Sequence, residues 1–258
     1  MPPERLFIAY RTIITKEITR FMRIWSQTIL PAAISMALYF IIFGNLIGPR
    51  IGVMGGFSYM EFIAPGIIMM SIINNAYSNV SSSFFGARFQ RHIEEMLVAP
   101  IPYWVILAGY ISGGVLRGLI VGLIVTVIAM FFIGLPSIYS PLIVISIVIL
   151  TSVLFSLGGF LNGMFANNFD DISIIPTFVL TPLIYLGGVF YSIDLLPDIW
   201  QSISLANPIL YMVIAFRYGI LGVSDIGIHV AFIIILLFIL ALSSLSLYLL
   251  HRGTGIKT

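Results

Sequence analysis

The chain has 258 residues, of which 60% are hydrophobic and only 9% are charged. A soluble domain carries roughly a quarter of its residues as Asp, Glu, Lys and Arg, so these charges are too few to cover a water-facing surface. The net charge of +2 comes without a basic stripe interleaved with aromatic residues, which argues against binding to nucleic acid. Cys is absent and the three His are widely spaced, so no metal site is expected. The composition predicts an all-α protein whose main solvent is lipid.

The N-terminal segment predicts an amphipathic helix over residues 4–25. Apolar residues recur there at helical spacing, at Leu6, Tyr10, Ile13, Ile14, Ile18, Phe21 and Trp25. The basic residues Arg5, Lys16, Arg20 and Arg23 lie mostly off this stripe. We expect such a helix to rest in the membrane interface, with its basic side chains toward the lipid phosphates. A soluble amphipathic helix packed on a partner protein is the alternative.

Six hydrophobic stretches follow, each near the roughly 20 residues that a helix needs to cross a hydrocarbon core. They cover residues 27–47, 62–85, 103–133, 141–165, 172–191 and 229–250, and together predict a six-helix bundle over 27–250. Residues 193–223 are apolar but interrupted by Pro197, Asp198, Asn207 and Pro208. We expect this segment to form short re-entrant helices at the outer face rather than a seventh span.

The distribution of Lys and Arg predicts which ends of the spans face the cytoplasm. Five lie in the N-terminal segment, two in the loop after the second span (Arg88 and Arg91) and two in the tail (Arg252 and Lys257). The loops on the opposite side hold only Arg50 and Arg217. Because cytoplasmic loops carry the excess of Lys and Arg, both termini are expected to be cytoplasmic.

No catalytic site is expected, because the motifs HExxH, GxSxG and GxGxxG do not occur and the GTGIKT tail lacks the spacing of a phosphate loop. Eight carboxylates fall in turns or at the ends of spans, and none of them lies near the bilayer midplane: Glu61, Glu94, Glu95, Asp170, Asp171, Asp194, Asp198 and Asp225. A proton-driven transporter usually needs a titratable group near the bilayer midplane. These observations argue against a stand-alone ion-coupled exporter and against a membrane-embedded lipid enzyme, which are the competing classes.

Polar residues inside the spans are candidates for a translocation path. Arg117 lies about 20 Å into the third span at 1.5 Å per residue, and it either binds an anionic head group or forms a structural pair. Asn75 and Asn79 lie on the second span among several serines. Such a polar face either lines a path or joins helices by hydrogen bonds. Small residues at four-residue spacing in the third span, Gly109, Gly113, Gly114, Gly118 and Gly122, indicate close helix packing.

The cytoplasmic segment 86–100 predicts an amphipathic helix of roughly three turns. Its apolar side chains, Phe89, Ile93, Met96 and Leu97, share one face, while Arg88, Arg91, Glu94 and Glu95 lie mostly elsewhere. Such a helix suits docking into a groove of a soluble partner. An ordinary surface connector explains the same periodicity.

Three stretches together resemble the ABC-2 type permeases, the membrane subunits of ATP-driven exporters. They are YMEFIAPG at residues 59–66, the loop at 91–100, and the run from GGVFY at 187–191 through Leu196-Pro197 and Asn207-Pro208 to Arg217-Tyr218-Gly219. Each motif is weak alone, whereas their order and spacing are specific, and the likeness covers nearly the whole chain.

The resemblance implies a type V exporter fold in a bacterial inner membrane. It makes 86–100 the coupling helix that sits in a cleft of a separate ATPase, and residues 4–25 the connecting helix. The segment 193–223 becomes the re-entrant cap, with Pro197, Asn207, Pro208 and Arg217. It further implies a homodimer with two ATPase copies, which hold the ATP and Mg, and an amphipathic, lipid-like, glycan or drug cargo.

Overall fold

A computed structural model describes residues 2–135, 138–224 and 226–253. Asp225 and residues 254–258 of the tail lie outside the described residues. The helices, in chain order, are α1 (Pro3–Arg23), α2 (Trp25–Thr28), α3 (Leu30–Tyr39), α4 (Gly48–Ile51), α5 (Tyr59–Phe89), α6 (His92–Val98), α7 (Tyr103–Ile133), α8 (Pro141–Phe165), α9 (Asp171–Ile175), α10 (Thr181–Tyr185), α11 (Asp198–Leu205), α12 (Pro208–Leu221) and α13 (Ile228–Arg252). Two π-helical segments, Phe40–Ile47 and Pro176–Leu180, continue α3 and α9, and Ile193–Leu195 is a 3₁₀ turn.

One short antiparallel hairpin interrupts this helical chain. Its strands β1 (Val53–Met54) and β2 (Phe57–Ser58) pair Val53 with Ser58 and Met54 with Phe57. The hairpin leads directly into α5, where Ser58 and Glu61 form a capping box: the Glu61 carboxylate accepts from the Ser58 backbone N–H at 2.9 Å. This box satisfies free N–H groups of the first turn, so α5 begins sharply at the hairpin end of the bundle.

α5 is the central helix of the fold. Most of its 31 residues are buried, and α7, α8 and α12 pack around it. The main hydrophobic core joins its residues to the hairpin-end halves of α7, α8, α12 and α13, and a second core joins Phe84 to α7 and α8 near α6. The second predicted span, 62–85, therefore forms the axis of the bundle.

By length and apolarity, four helical runs of the described chain are sufficient to cross a membrane: Trp25–Ile51, Tyr103–Ile133, Pro141–Phe165 and Ile228–Arg252. They match the first, third, fourth and sixth predicted spans. α5 is long enough, but its Asn and Ser residues lower its hydropathy. The six-span count stays a prediction, whereas the helical, multi-span architecture is confirmed.

The fifth predicted span, 172–191, is helical only over Asp171–Tyr185. At 1.5 Å per residue this run measures about 22 Å, less than the roughly 30 Å of a hydrocarbon core. Gly187 and Gly188 end it: Gly188 has a φ of +69°, which residues with a Cβ rarely adopt. Predicting a helix to residue 191 was wrong because it treated these glycines as part of an apolar run.

The predicted coupling segment, 86–100, is two helices rather than one. α5 continues through Phe89, and the chain then turns at Arg91, whose φ is +61°. Only the seven residues of α6 follow. The expectation of about three continuous turns was wrong because the left-handed residue breaks the helix.

The second half of the N-terminal helix packs against the bundle, while its first half is largely exposed. Of the predicted apolar stripe, Ile13 and Phe21 are buried and Trp25 is exposed. The seat on α7 is built by Gly109 and Gly113, since a Cβ at Gly113 would stand 2.6 Å from the Cβ of Glu17. The glycine spacing thus serves close helix packing, as expected. The placement of Arg20 toward lipid phosphates was wrong, because its guanidinium turns inward to Asn79.

A second close approach joins α8 to α5. A Cβ at Gly163 would lie 2.7 Å from the backbone oxygen of Ser81 and 3.1 Å from the backbone nitrogen of Phe85. Because both atoms belong to a helix backbone, neither moves aside without shifting α5.

We predict that Gly163→Ala lowers the stability of the chain by about 1–3 kcal/mol, the usual cost of overpacking a tight interior. Gly86→Ala is the matched control, since a Cβ there meets no atom within 4 Å and Ala favours a helix by about 1 kcal/mol over Gly. The measurement is the thermal unfolding midpoint of the detergent-solubilised chain. Equal midpoints for the two variants would contradict the close approach.

Candidate functional site

α6 presents a mixed acidic and apolar surface at one end of the bundle. Ile93 is fully buried and anchors the helix to the second core. Glu94 and Glu95 point into solvent, and Met96 and Leu97 are half-buried. Val98 is 87% exposed, although an aliphatic side chain gains about 1.5–3 kcal/mol from burial. The surface therefore combines two carboxylates with an apolar side chain that nothing in the described chain covers.

Arg88 has a structural position rather than the exposed one that its place in the coupling segment predicts. Its guanidinium donates to the backbone oxygens of Met164 and Ala166 at the end of α8. Those carbonyls lack helical partners, and a cation near a helix C-terminus is favourable. Arg88 thus ties the last turn of α5 to α8, next to the exposed Arg91 where the chain turns into α6.

A cluster of polar side chains lies between α1, α5 and α7. This polar cluster consists of Glu17, Arg20, Asn75, Asn79, Ser83 and Arg117. Arg20 donates to the side-chain oxygen of Asn79 at 2.8 Å, to its backbone oxygen at 2.9 Å and to Glu17 at 3.2 Å. Ser83 donates to the other oxygen of Glu17 at 2.6 Å. Glu17 is fully buried, and these two bonds compensate for its removal from water.

Arg117 reaches the same cluster from α7. It donates to Asn75 Oδ1 at 3.1 Å, to the backbone oxygen of Thr28 at 3.4 Å and to Asn79 Oδ1 at 3.5 Å. The three residues predicted to line a path, Asn75, Asn79 and Arg117, are therefore brought together.

The sequence reasoning missed Glu17 and the inward direction of Arg20. Glu17 lies four residues after Ile13 and four before Phe21, so it occupies the buried stripe of α1. A carboxylate inside an apolar stripe was the signal that could have found it. The expectation that carboxylates fall in turns or at the ends of spans does not hold for Glu17, which is fully buried and packs against Gly113 of α7.

Exposed serines continue the polar face of α5 beyond the cluster. Ser78 and Ser82 are exposed and follow Asn75 at three- and seven-residue spacing, which places them on the same face of the helix. Ser82 donates to the backbone oxygen of Ser78 at 2.7 Å. Polar groups at this depth are not solvated by lipid, so this face requires protein, water or a polar ligand in front of it.

The opposite end of the bundle is closed by the bent pair α11 and α12, which meet at 87°. Pro197 precedes α11, while Asn207 caps α12, whose first residue is Pro208, by accepting from the Ile209 N–H at 3.0 Å. Asn207 also donates to the backbone oxygen of Leu183 at 2.6 Å. These residues give the short, sharply bent helices that the prolines predicted.

Arg217 joins this cap to α5. It is buried and donates to the backbone oxygens of Gly188 at 2.6 Å and Phe62 at 3.2 Å. Its guanidinium carbon lies 3.9 Å from the centroid of the Phe62 ring. A cavity of about 510 Å³ opens beside it and is lined by Phe62, Asp194 and Arg217 among others.

Comparisons with known proteins agree with this arrangement. The family model "ABC-2 type transporter" matches residues 8–221. The chain is 58% identical over 252 residues to the "Inner membrane transport permease YadH" of Escherichia coli (strain K12), covering 98% of both chains. It is 26% identical over 196 residues to "Nodulation protein J" of Rhizobium leguminosarum bv. trifolii, covering 75% of this chain and 74% of that protein. With a family match across most of its length and helices apolar enough for lipid, the chain belongs to the ABC-2 type transporter family as a multi-pass inner-membrane permease.

Proposed function

We propose that the chain is the transmembrane subunit of an ATP-driven exporter whose energy comes from a separate ATPase. Two copies of the chain and two ATPase subunits form the complex, with both termini of each chain cytoplasmic. The cargo is an amphipathic, lipid-like, glycan or drug molecule. Family membership supports association with an ABC ATPase, and the surface of α6 is the observation that supports this reading most directly.

α6 has the properties of a docking element. Its buried Ile93 packs in the second core with residues of α5, α7 and α8, and Arg88 ties the end of α5 to α8, so that a displacement of α6 is passed to long helices. Glu94, Glu95 and Val98 point away from the bundle, toward any partner at this end. Two acidic side chains beside an apolar one suit a cleft with basic and apolar walls. The charges would set the position of α6 in the cleft, and burial of the apolar side chain would add affinity.

Movement then follows from ATP binding on the partner. Closure of the ATPase dimer displaces the two coupling segments, and the attached helices shift a central path between inward and outward access. The path lies on the two-fold axis between the copies, where self-complementary surfaces suffice. The competing classes are a membrane-embedded lipid enzyme and an ion-coupled exporter, for which Glu17, paired with Arg20, is the buried carboxylate of the described chain.

We predict that Glu94→Arg with Glu95→Arg breaks the complex. Reversing two exposed carboxylates reverses the charge complementarity with the ATPase and weakens its binding by at least about tenfold, or 1.4 kcal/mol. Asp194→Arg with Asp198→Arg makes the same charge change at the other end and serves as control. Pull-down of the ATPase measures binding. Full binding and transport in the Glu94/Glu95 variant would refute the docking assignment.

Val98→Asp is expected to weaken ATPase binding without reducing stability, because Val98 is exposed in the isolated chain and becomes buried only against a partner. Val53→Asp places the same charge on another largely exposed valine, in the hairpin, and should leave binding unchanged. Affinity is measured by titration of the purified ATPase. If the two variants bind the ATPase equally well, Val98 is not part of the docking surface.

The two-fold arrangement is testable because the chain has no Cys. A single Ser78→Cys variant should be joined to its partner copy by a short bis-maleimide reagent, since the exposed polar face of α5 is expected to line the axis. Leu240→Cys on the exposed apolar face of α13 is the control and should stay monomeric on a denaturing gel. Cross-linking of Leu240→Cys alone would place the axis elsewhere.

A further inference from the structure

The polar cluster carries an excess of positive charge. It contains two guanidinium groups, Arg20 and Arg117, and one carboxylate, Glu17. That carboxylate is occupied by Arg20 and Ser83. Among the described residues, Arg20 and Glu17 form an ion pair at 3.2 Å, whereas no carboxylate lies within 4 Å of the Arg117 guanidinium. An uncompensated cation away from water is costly, so an anion in contact with Arg117 would stabilise the cluster.

Arg117 is held loosely for a buried guanidinium. The group is 8% exposed, yet its three contacts measure 3.1, 3.4 and 3.5 Å and all go to uncharged oxygens. Charge-assisted hydrogen bonds are shorter, about 2.7–2.9 Å. No described residue accepts a hydrogen bond from its Nε. The donors of Arg117 are therefore not saturated by the protein.

Both guanidinium groups converge on one oxygen. Arg20 lies 2.8 Å from Asn79 Oδ1 and Arg117 lies 3.5 Å from the same atom. Like charges repel at this separation, and a negatively charged group between them would reverse that repulsion. The planar fork of arginine matches the oxygens of carboxylates and phosphates, so the pair is suited to an oxyanion.

The cluster is reachable from the exposed face of α5. The side chain of Arg20 is 28% exposed, and Ser78 and Ser82 lie exposed on the same face as Asn75. An oxyanion at the guanidinium groups would meet these hydroxyls as further donors. An attached apolar chain could then extend along the surrounding apolar surface of the bundle.

We infer that the polar cluster, together with Ser78 and Ser82, binds the anionic head group, phosphate or carboxylate, of an amphiphile. This inference rests on the proposed function, and where the bound amphiphile is the cargo it narrows that cargo to negatively charged molecules. A resident lipid has the same chemistry, and the experiment separates the two sources. Arg117 and Arg20 bind the oxyanion, while Glu17 limits the net charge of the site to a single positive excess.

The test is native mass spectrometry of the purified full chain in a neutral maltoside detergent. Phosphatidic acid is the probe, with phosphatidylcholine of the same acyl chains as the neutral-head-group counterpart and inorganic phosphate as the free anion. The wild-type chain should prefer phosphatidic acid about tenfold or more, in line with one added charge interaction of about 1.4 kcal/mol. Equal binding of the two lipids, or equally tight binding of inorganic phosphate, would overturn the inference.

Substitutions that remove a positive or a negative charge from the cluster should change the preference for phosphatidic acid in opposite directions. Arg117→Gln should abolish the preference, whereas Glu17→Gln, which keeps the hydrogen-bonding shape and removes the negative charge, should increase it. Arg23→Gln is the matched control, since it removes an exposed arginine from the same helix. Arg117→Lys keeps the charge and should keep the preference, whereas Arg20→Gln removes the other positive charge and replaces Arg117→Gln if that variant does not fold. An unchanged preference in Arg20→Gln, or in a folded Arg117→Gln, would overturn the inference.

Whether the bound head group belongs to cargo or to a resident lipid is determined in the complete complex with its ATPase. Release of bound phosphatidic acid on addition of ATP identifies cargo, and retention identifies a resident lipid; either result supports head-group binding. Because the binding measurement contains no ATPase, it fails or succeeds independently of the docking of α6. Loss of lipid preference with intact ATPase binding would overturn this inference alone.

Discussion

The whole architecture depends on placing polar side chains in a bundle that has little access to water. α5 carries more asparagines and serines than any other helix of the described chain, and such groups are costly to leave unpaired away from water. The fold answers by placing α5 at the centre, against glycine-lined surfaces of α7 and α8 and beneath the buried face of α1. Arg117 and Arg20 take up the side-chain oxygens of Asn75 and Asn79. The long helix that is richest in Asn and Ser is thereby also the most enclosed one.

The same constraint separates the two ends of the molecule. At the hairpin end, Asn207 donates to the backbone oxygen of Leu183 in α10, and Arg217 donates to those of Gly188 and Phe62, so the bent helices of the cap are tied to α10 and to α5. At the other end, Arg88 uses the free carbonyls of α8, and the charged groups that follow it remain in solvent. At the hairpin end, polar side chains are bound to backbone oxygens of the protein, whereas at the α6 end charged side chains such as Glu94 and Glu95 are exposed. This asymmetry fits a permease that receives its energy from a partner on one side only.

The main spans could be predicted from the sequence because length and apolarity alone decide them. Counting charges along the sequence could not show that Glu17 is buried. Its burial depends on hydrogen bonds from Ser83 of α5 and from Arg20 of its own helix. The end of the fifth span at Gly187 and Gly188 depends on a backbone conformation rather than on hydropathy. Arg88 and Arg91 look alike in the sequence, yet Arg88 binds backbone oxygens at the end of α8 that only tertiary packing brings near it, while Arg91 is exposed. Docking, dimerisation and cargo lie beyond the fold of a single chain.

The length of α5 has a mechanical consequence. Pro65 removes one helical hydrogen bond near the hairpin, and the remaining uninterrupted part, from Gly66 to Phe89, measures about 36 Å at 1.5 Å per residue. A rod of that length that tilts by about 5° moves its far end by about 3 Å. If the rod pivots at Pro65, such a tilt moves the end of α5 beside α6 by about an atomic diameter and leaves the end beside the cap nearly in place. The close contacts of Gly159 and Gly163 of α8 with α5 lie between these two ends, so α8 would have to move with the rod.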